Sequence, residues 1–109
     1  KLDPVPDAFF CINDEVAAYC IQIAKSLGFM VPEEVSVCGF TNSYITEVTY
    51  PRLTSVDQYG VEMGKVAARL LINRIEGREK KEGVVSRVIK TELVVKESTK
   101  PVQSIAQRY

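Results

Sequence analysis

Five apolar residues in a row, Ala8-Phe9-Phe10-Cys11-Ile12, stop at Asn13-Asp14, and from there to Leu27-Gly28 the apolar spacing becomes helical. This passage constrains the chain more than any other. A run so short and so apolar predicts a strand covered on both faces, as in a parallel sheet. Asn and Asp carry oxygens that accept the unpaired N–H groups of a helix's first turn. Val16, Ala17, Cys20, Ile21, Ile23, Ala24 and Leu27 then supply the helical spacing. Lys25 falls in the last turn, where the dipole favours a cation, and Gly28 offers a left-handed stop. In an open α/β sheet ligands bind outside the carboxyl ends of the strands, which puts Asn13 and Asp14 at such an end. Ala18 and Tyr19 leave this helix apolar most of the way round. A surface helix normally shows one apolar stripe, so the pattern predicts cover on two sides, by its own sheet and by a second layer: a partner subunit first, or the interior of a larger monomer.

The rest of the chain alternates in the same manner. Val35 to Phe40 reads as a second apolar strand, with Gly39 marking a close backbone approach or a bend. Thr41-Asn42-Ser43 follows it as Asn13-Asp14 follows the first, and Ser43 to Tyr50 reads as an irregular helical turn. Pro51 leads into a short strand, Leu53 to Val56. Met63, Val66, Ala67, Leu70, Leu71 and Ile75 give helical spacing from Gln58 to Glu76, ended by Gly77. Arg78 to Glu82 is a charged loop, 84–90 and 91–97 read as extended segments, and Ser98 to Tyr109 as a tail. Alternation of this kind predicts an α/β domain with a mostly parallel sheet, but too few strands are present for a full one.

Function classes narrow by composition. Fourteen basic and fourteen acidic residues cancel over 109 residues, so no basic footprint for nucleic acid is present in these residues. Histidine is absent, which removes Ser/His and Cys/His catalytic pairs and the commonest metal ligand. Cys11, Cys20 and Cys38 have no CxxC spacing and read as small buried hydrophobes in a reducing compartment. The glycines form no phosphate loop. No cofactor and no metal is expected, and no apolar run is long enough to span a membrane. What remains is a polar set that follows strand-like runs: Asn13 and Asp14, Thr41 and Asn42, Asp57 and Gln58. Amides, hydroxyls and carboxylates without a nucleophile suit the recognition of hydroxyl groups, as in a sugar site. The same residue types also serve as caps and turn formers.

Several stretches resemble the lactose-repressor (LacI/GalR) transcription regulators. Pro6 to Asp14, PDAFFCIND, resembles that family's PDAIFCAND; Val31 to Phe40, VPEEVSVCGF, is similar to VPEDVSVVGFD. Pro51 to Gln58, PRLTSVDQ, resembles PPLTTVRQ. Gly64 to Gly77 resembles the helix G..AA.LLL..IEG, and Glu92 to Ser98, ELVVKES, the closing ELVVRES. These matches run in order from about residue 4 to 99.

The resemblance implies a three-layer, type I periplasmic-binding-protein-like fold of two α/β lobes, with only its C-terminal portion in these residues. Residues 1–52 would belong to the C-terminal lobe, 53–58 to a crossover, 59–83 to a helix of the N-terminal lobe and 84–99 to return strands, with 100–109 as a tail. It implies ligand contacts at Asn13, Thr41 and Gln58, and a dimer interface that includes Ala18, Ile21, Val48 and Tyr50. Thr41 stands where the motif has the Asp of GFD, and Asp57 where PPLTTVRQ has Arg. The implied function is the effector-binding and dimerisation region of a cytoplasmic regulator. A sugar or related small molecule would be the effector, and operator DNA would be held by a headpiece outside these residues. A sugar-binding protein of a periplasmic ABC-type transport system is the alternative on the same fold; an enzyme is not expected.

Overall fold

The computed structural model describes residues 4–78, 83 and 85–101. Strand β1 (Ala8–Phe10) runs into helix α1 (Asp14–Ser26), then come β2 (Ser36–Cys38), the short α2 (Ile45–Val48), β3 (Ser55–Asp57), α3 (Gly60–Ile75) and β4 (Glu92–Val94). The expected elements are present from β1 to α3, with the strands shorter than their apolar runs; of the extended segments expected at 84–90 and 91–97, only the second holds a strand, and residues 85–90 form none. Residues 79–82, 84 and 102–109, which hold most of the predicted charged loop and tail, lie outside the described residues.

β1 and β2 pair in parallel, with Ala8 opposite Ser36 and Phe10 opposite Cys38. β3 and β4 pair antiparallel, with Ser55 opposite Val94 and Asp57 opposite Glu92. Parallel bridges Cys38–Thr54 and Thr41–Asp57 join the two pairs. The Gly39 N–H donates to Thr54 O at 2.8 Å and the Thr41 N–H to Val56 O at 2.9 Å. The result is one ribbon in the order β1-β2-β3-β4, with its first three strands parallel.

α1 lays Ala17, Ile21 and Ala24 inward, one every three or four residues, as a helix stripe must. Ala17 and Ile21 cluster with Cys11, Val35, Val37 and Leu53, all buried. Each fully buried Val, Leu or Ile contributes about 1.5–3 kcal/mol, so this small cluster holds α1 on the sheet. Behind it, the buried Ser98 hydroxyl donates to Val37 O at 2.6 Å and accepts from the Thr54 N–H at 2.8 Å. That hydroxyl ties the segment after β4 to the entrance of β3, and Thr54 Oγ1 adds a 2.8 Å bond with Thr99 Oγ1.

Two expectations fail here. β1 is not covered on both faces: all three of its residues are exposed, and Phe10 keeps 69% of its surface accessible. β1 is also an edge strand, with β2 on one side and no described strand on the other. Nor does α3 bury its apolar stripe; none of its residues is buried, and Val61, Leu71 and Ile75 face outward. The chain measures 59 × 35 × 25 Å with a radius of gyration of 19.3 Å, against about 13 Å for a compact domain of this length. A sheet of this size has too few layers to cover either element.

Candidate functional site

The parallel ribbon brings the polar set to one end. Phe10 lies opposite Cys38, an offset of 28 residues (38 − 10). Asn13 follows β1 by three residues and Thr41 follows β2 by three, and Thr41 is bridged to Asp57 at the end of β3. Gln58 stands one residue beyond, half-buried. The three carboxyl-terminal strand ends are the place where open α/β sheets hold ligands.

Asn13 has an extended backbone and caps α1, its Oδ1 accepting the Val16 N–H at 2.9 Å. Its amide NH2 makes no hydrogen bond among the described residues and stays available. Thr41 is exposed and holds φ +122°, and Asn42 follows at φ +60°. A β-branched residue at positive φ is strained, and such strain gathers at functional sites. Asn42 donates its N–H to Ser55 Oγ at 3.0 Å and its side-chain Nδ2 to Asp57 Oδ2 at 3.3 Å.

Asp14 organises this end, a role its position in the sequence does not announce. It is 2% exposed. Its Oδ2 accepts the Ser43 N–H at 2.7 Å and its Oδ1 the Ser55 hydroxyl at 2.6 Å. One buried carboxylate therefore ties the start of α1 to the loop after β2 and to β3. Gly39 is the available signal. A methyl group there would collide with Asp14 Oδ1 and come within 3.0 Å of Leu53 Cδ2, which is the close approach its glycine predicted.

The thiols stay apart from this chemistry. Burial, and then the neighbouring Cys20, push the Cys11 thiol up to about 11. Burial and Asp14 raise Cys38. A thiol held protonated is a poor nucleophile. Among the described residues no cluster of His, Cys, Asp and Glu could hold a metal ion, and no helix is long and apolar enough to cross a membrane.

The four residues expected at a dimer interface separate. Val48 and Tyr50 are 73% and 83% exposed, beside the equally bare Tyr44. Lys25 Nζ donates to Tyr50 O at 3.0 Å and stands 5.0 Å over its ring. Ala18 is half-buried in a shallow recess with Glu15, Gln22 and Ile45. Ile21 does not belong with them: at 3% exposure it is part of the core against Val35 and Val37. It falls on the same stripe as Ala17 and Ala24, so no partner can reach it. The outer apolar face of α1 lies elsewhere. Val16, Tyr19, Ile23 and Leu27 line a groove of about 670 Å³ with Val5 and Phe9, on the open edge of β1.

Residues 1–99 match the periplasmic binding protein-like domain family. The chain belongs to that family. Its relatives within the family are regulators: it is 40% identical over 96 residues to the NTD biosynthesis operon regulator NtdR of Bacillus subtilis, covering 86% of this chain and 28% of that protein. Among solved structures it is similar to the transcriptional regulator CelR in complex with cellobiose, at a TM-score of 0.81 and 37% identity over 87% of this chain and 28% of that one. It is also similar to a periplasmic binding protein/LacI transcriptional regulator from Alkaliphilus metalliredigens complexed with D-xylulofuranose. There the TM-score is 0.76 and the identity 34%, over 87% of this chain and 35% of that one. The family's fold and the LacI-type resemblance read from the sequence therefore both hold. The chain spans about a quarter to a third of the length of these proteins.

Proposed function

We propose that this chain supplies the C-terminal share of the effector-binding and dimerisation region of a LacI-type transcriptional regulator. The observation that carries the reading is the row Asn13, Thr41 and Asp57 at one end of three parallel strands, with Gln58 beside it. The relatives support a regulator rather than a transport protein, and two of them were solved with sugars. A sugar or related polyol is the effector class that fits. Asn13 offers an amide donor, Thr41 a hydroxyl, and Gln58 both a donor and an acceptor. Thr41 has one oxygen where an Asp has two, so it cannot take the bidentate pair of hydroxyls that a carboxylate accepts, and it adds a donor that a carboxylate lacks.

In this reading residues up to about 52 form the C-terminal lobe, 53–58 cross over, α3 belongs to the N-terminal lobe, and β4 returns. The antiparallel β3–β4 pair and the bare flanks of α3 support that division. Val48 and Tyr50, with Ala18, form a share of the dimer face. Operator DNA is bound outside these residues, and effector binding biases lobe closure and so DNA affinity.

The test is titration of the intact protein with cellobiose, D-xylulose, D-ribose and a nucleoside panel. One member should raise Tm by several degrees, since ligand at about 100 times Kd adds about 2.7 kcal/mol, and should change retention of the protein's own promoter DNA. No shift and no change in DNA retention with any of them would overturn the reading.

A further inference from the structure

Asp57 reaches in two directions. Its Oδ1 accepts the Tyr59 N–H at 2.8 Å, at the threshold of α3. Its Oδ2 accepts Asn42 Nδ2 at 3.3 Å, in the loop after β2. A carboxylate only accepts, so the Asn42 amide must present its nitrogen to Asp57 and its oxygen to the other side. On that side the Thr46 hydroxyl of α2 stands 3.4 Å from Asn42 Oδ1, but its one proton goes to Ser43 O at 2.8 Å. At the other end Tyr59 holds φ +52°, disfavoured for a non-glycine residue. Its phenol bonds Glu92, the first residue of β4, a contact that raises the Tyr59 pKa. The series Asn42–Asp57–Tyr59–Glu92 thus runs from the loop after β2, past Thr41, to the start of α3 and into β4. The stretch PPLTTVRQ, which this segment resembles, has Arg at the position of Asp57, and an Arg could accept neither bond.

We propose that Asp57 is a positioning residue that fixes the start of α3 to the Asn42 loop. A change in the direction of α3 is then felt at Thr41, the residue before Asn42. This rests on the reading of the chain as an effector-binding region whose lobes move, and names the connection through which that movement reaches the site. The local alternative is that Asp57 only closes its own turn onto Tyr59.

Backbone amide exchange of the intact protein, followed by mass spectrometry, separates the two without any effector. Asp57→Ser keeps a short oxygen for the turn but cannot reach Asn42. Asn42→Gly removes the link from the other side and tolerates the positive φ. Each should speed exchange about fivefold over residues 59–64 as well as 41–46, with the β1–β2 amides unchanged. The double variant should be no faster than the faster single one, because both remove the same link. If Asn42→Gly leaves residues 59–64 at wild-type rates, or if the two effects add, Asp57 serves only its own turn and the proposal falls. A protein that passes this test yet ignores every sugar and its promoter DNA would overturn the regulator reading and leave the link standing.

Discussion

Replacing Asp14 by Ala should be the most damaging single polar change at the strand ends. Its carboxylate accepts two short hydrogen bonds, from the Ser43 N–H at 2.7 Å and the Ser55 hydroxyl at 2.6 Å. Hydrogen bonds to a charged group are worth about 1.5–3 kcal/mol each, and a buried donor left without a partner costs about 1–3 kcal/mol. Asp14 also stands in the first turn of α1, where a negative charge contributes about 0.3–1 kcal/mol. Releasing the desolvation cost of the carboxylate offsets part of this. The net loss should be about 2–4 kcal/mol, a large share of the roughly 5–15 kcal/mol that holds a domain together. Asp14→Asn keeps one acceptor and should lose about half as much. Gly39→Ala tests the same contact from the backbone side, because its methyl would collide with Asp14 Oδ1 and crowd Leu53 and Ala17. Overpacking of this kind costs about 1–3 kcal/mol. The Asp14→Ala, Gly39→Ala pair should cost less than the sum of the two, since removing the carboxylate makes room for the methyl. Urea unfolding of the intact protein gives all four values. Strict additivity, or an Asp14→Ala variant as stable as wild type, would refute the account of Asp14 as the tie between α1, β2 and β3.

Asn13 should separate its two roles: Asn13→Ala loses the cap and about 1 kcal/mol, whereas Asn13→Asp keeps the cap within about 0.5 kcal/mol and loses effector affinity with its amide donor, measured by calorimetry. Thr41→Gly should stabilise the protein in thermal unfolding by about 1 kcal/mol, because φ +122° costs Thr and not Gly; a loss of stability would mean the loop is not strained. The carboxyls of Glu47, bonded by Lys96 and Arg52, and of Glu97, bonded by Arg52, lie below their ordinary value. Their contribution is therefore present above about pH 4.5 and is lost as pH falls through the folded values, and Glu47→Gln should flatten that acid limb of the stability curve. Cys11, pushed up to about 11, should resist iodoacetamide at pH 8 in the folded protein and react once it is unfolded.

What could be read in advance follows from which forces are local. The Ala8–Ile12 run, the Asn13 cap and the Ala17–Ile21–Ala24 stripe are written in neighbouring residues, and each has its structural counterpart in β1 or α1. Gly39 announced a close approach but not its partner, because Asp14 is 25 residues away in the chain (39 − 14) and meets it only when β2 lies beside β1. Ser55 carried no signal at all: a Ser in a short strand has one face to offer, and which face meets Asp14 depends on the register of β3 on β2. Ile21 failed for a related reason. An all-round apolar helix shows that two faces are wanted, but not which residue faces which layer, and the sheet claimed Ile21 first. Burial of β1 and α3 failed because periodicity describes the layer an element is made to meet, while coverage depends on residues far outside its own window. The polar set was legible as residue types following strands, and the bridge that sets Thr41 beside Asp57 was not. The strand ends are brought together by two registers, Phe10 on Cys38 and Thr41 on Asp57, each set by pairing between distant segments. Asp57 gathers these reasons in one residue: its type departs from the motif and was visible, yet its link to Asn42 exists only because the second register holds.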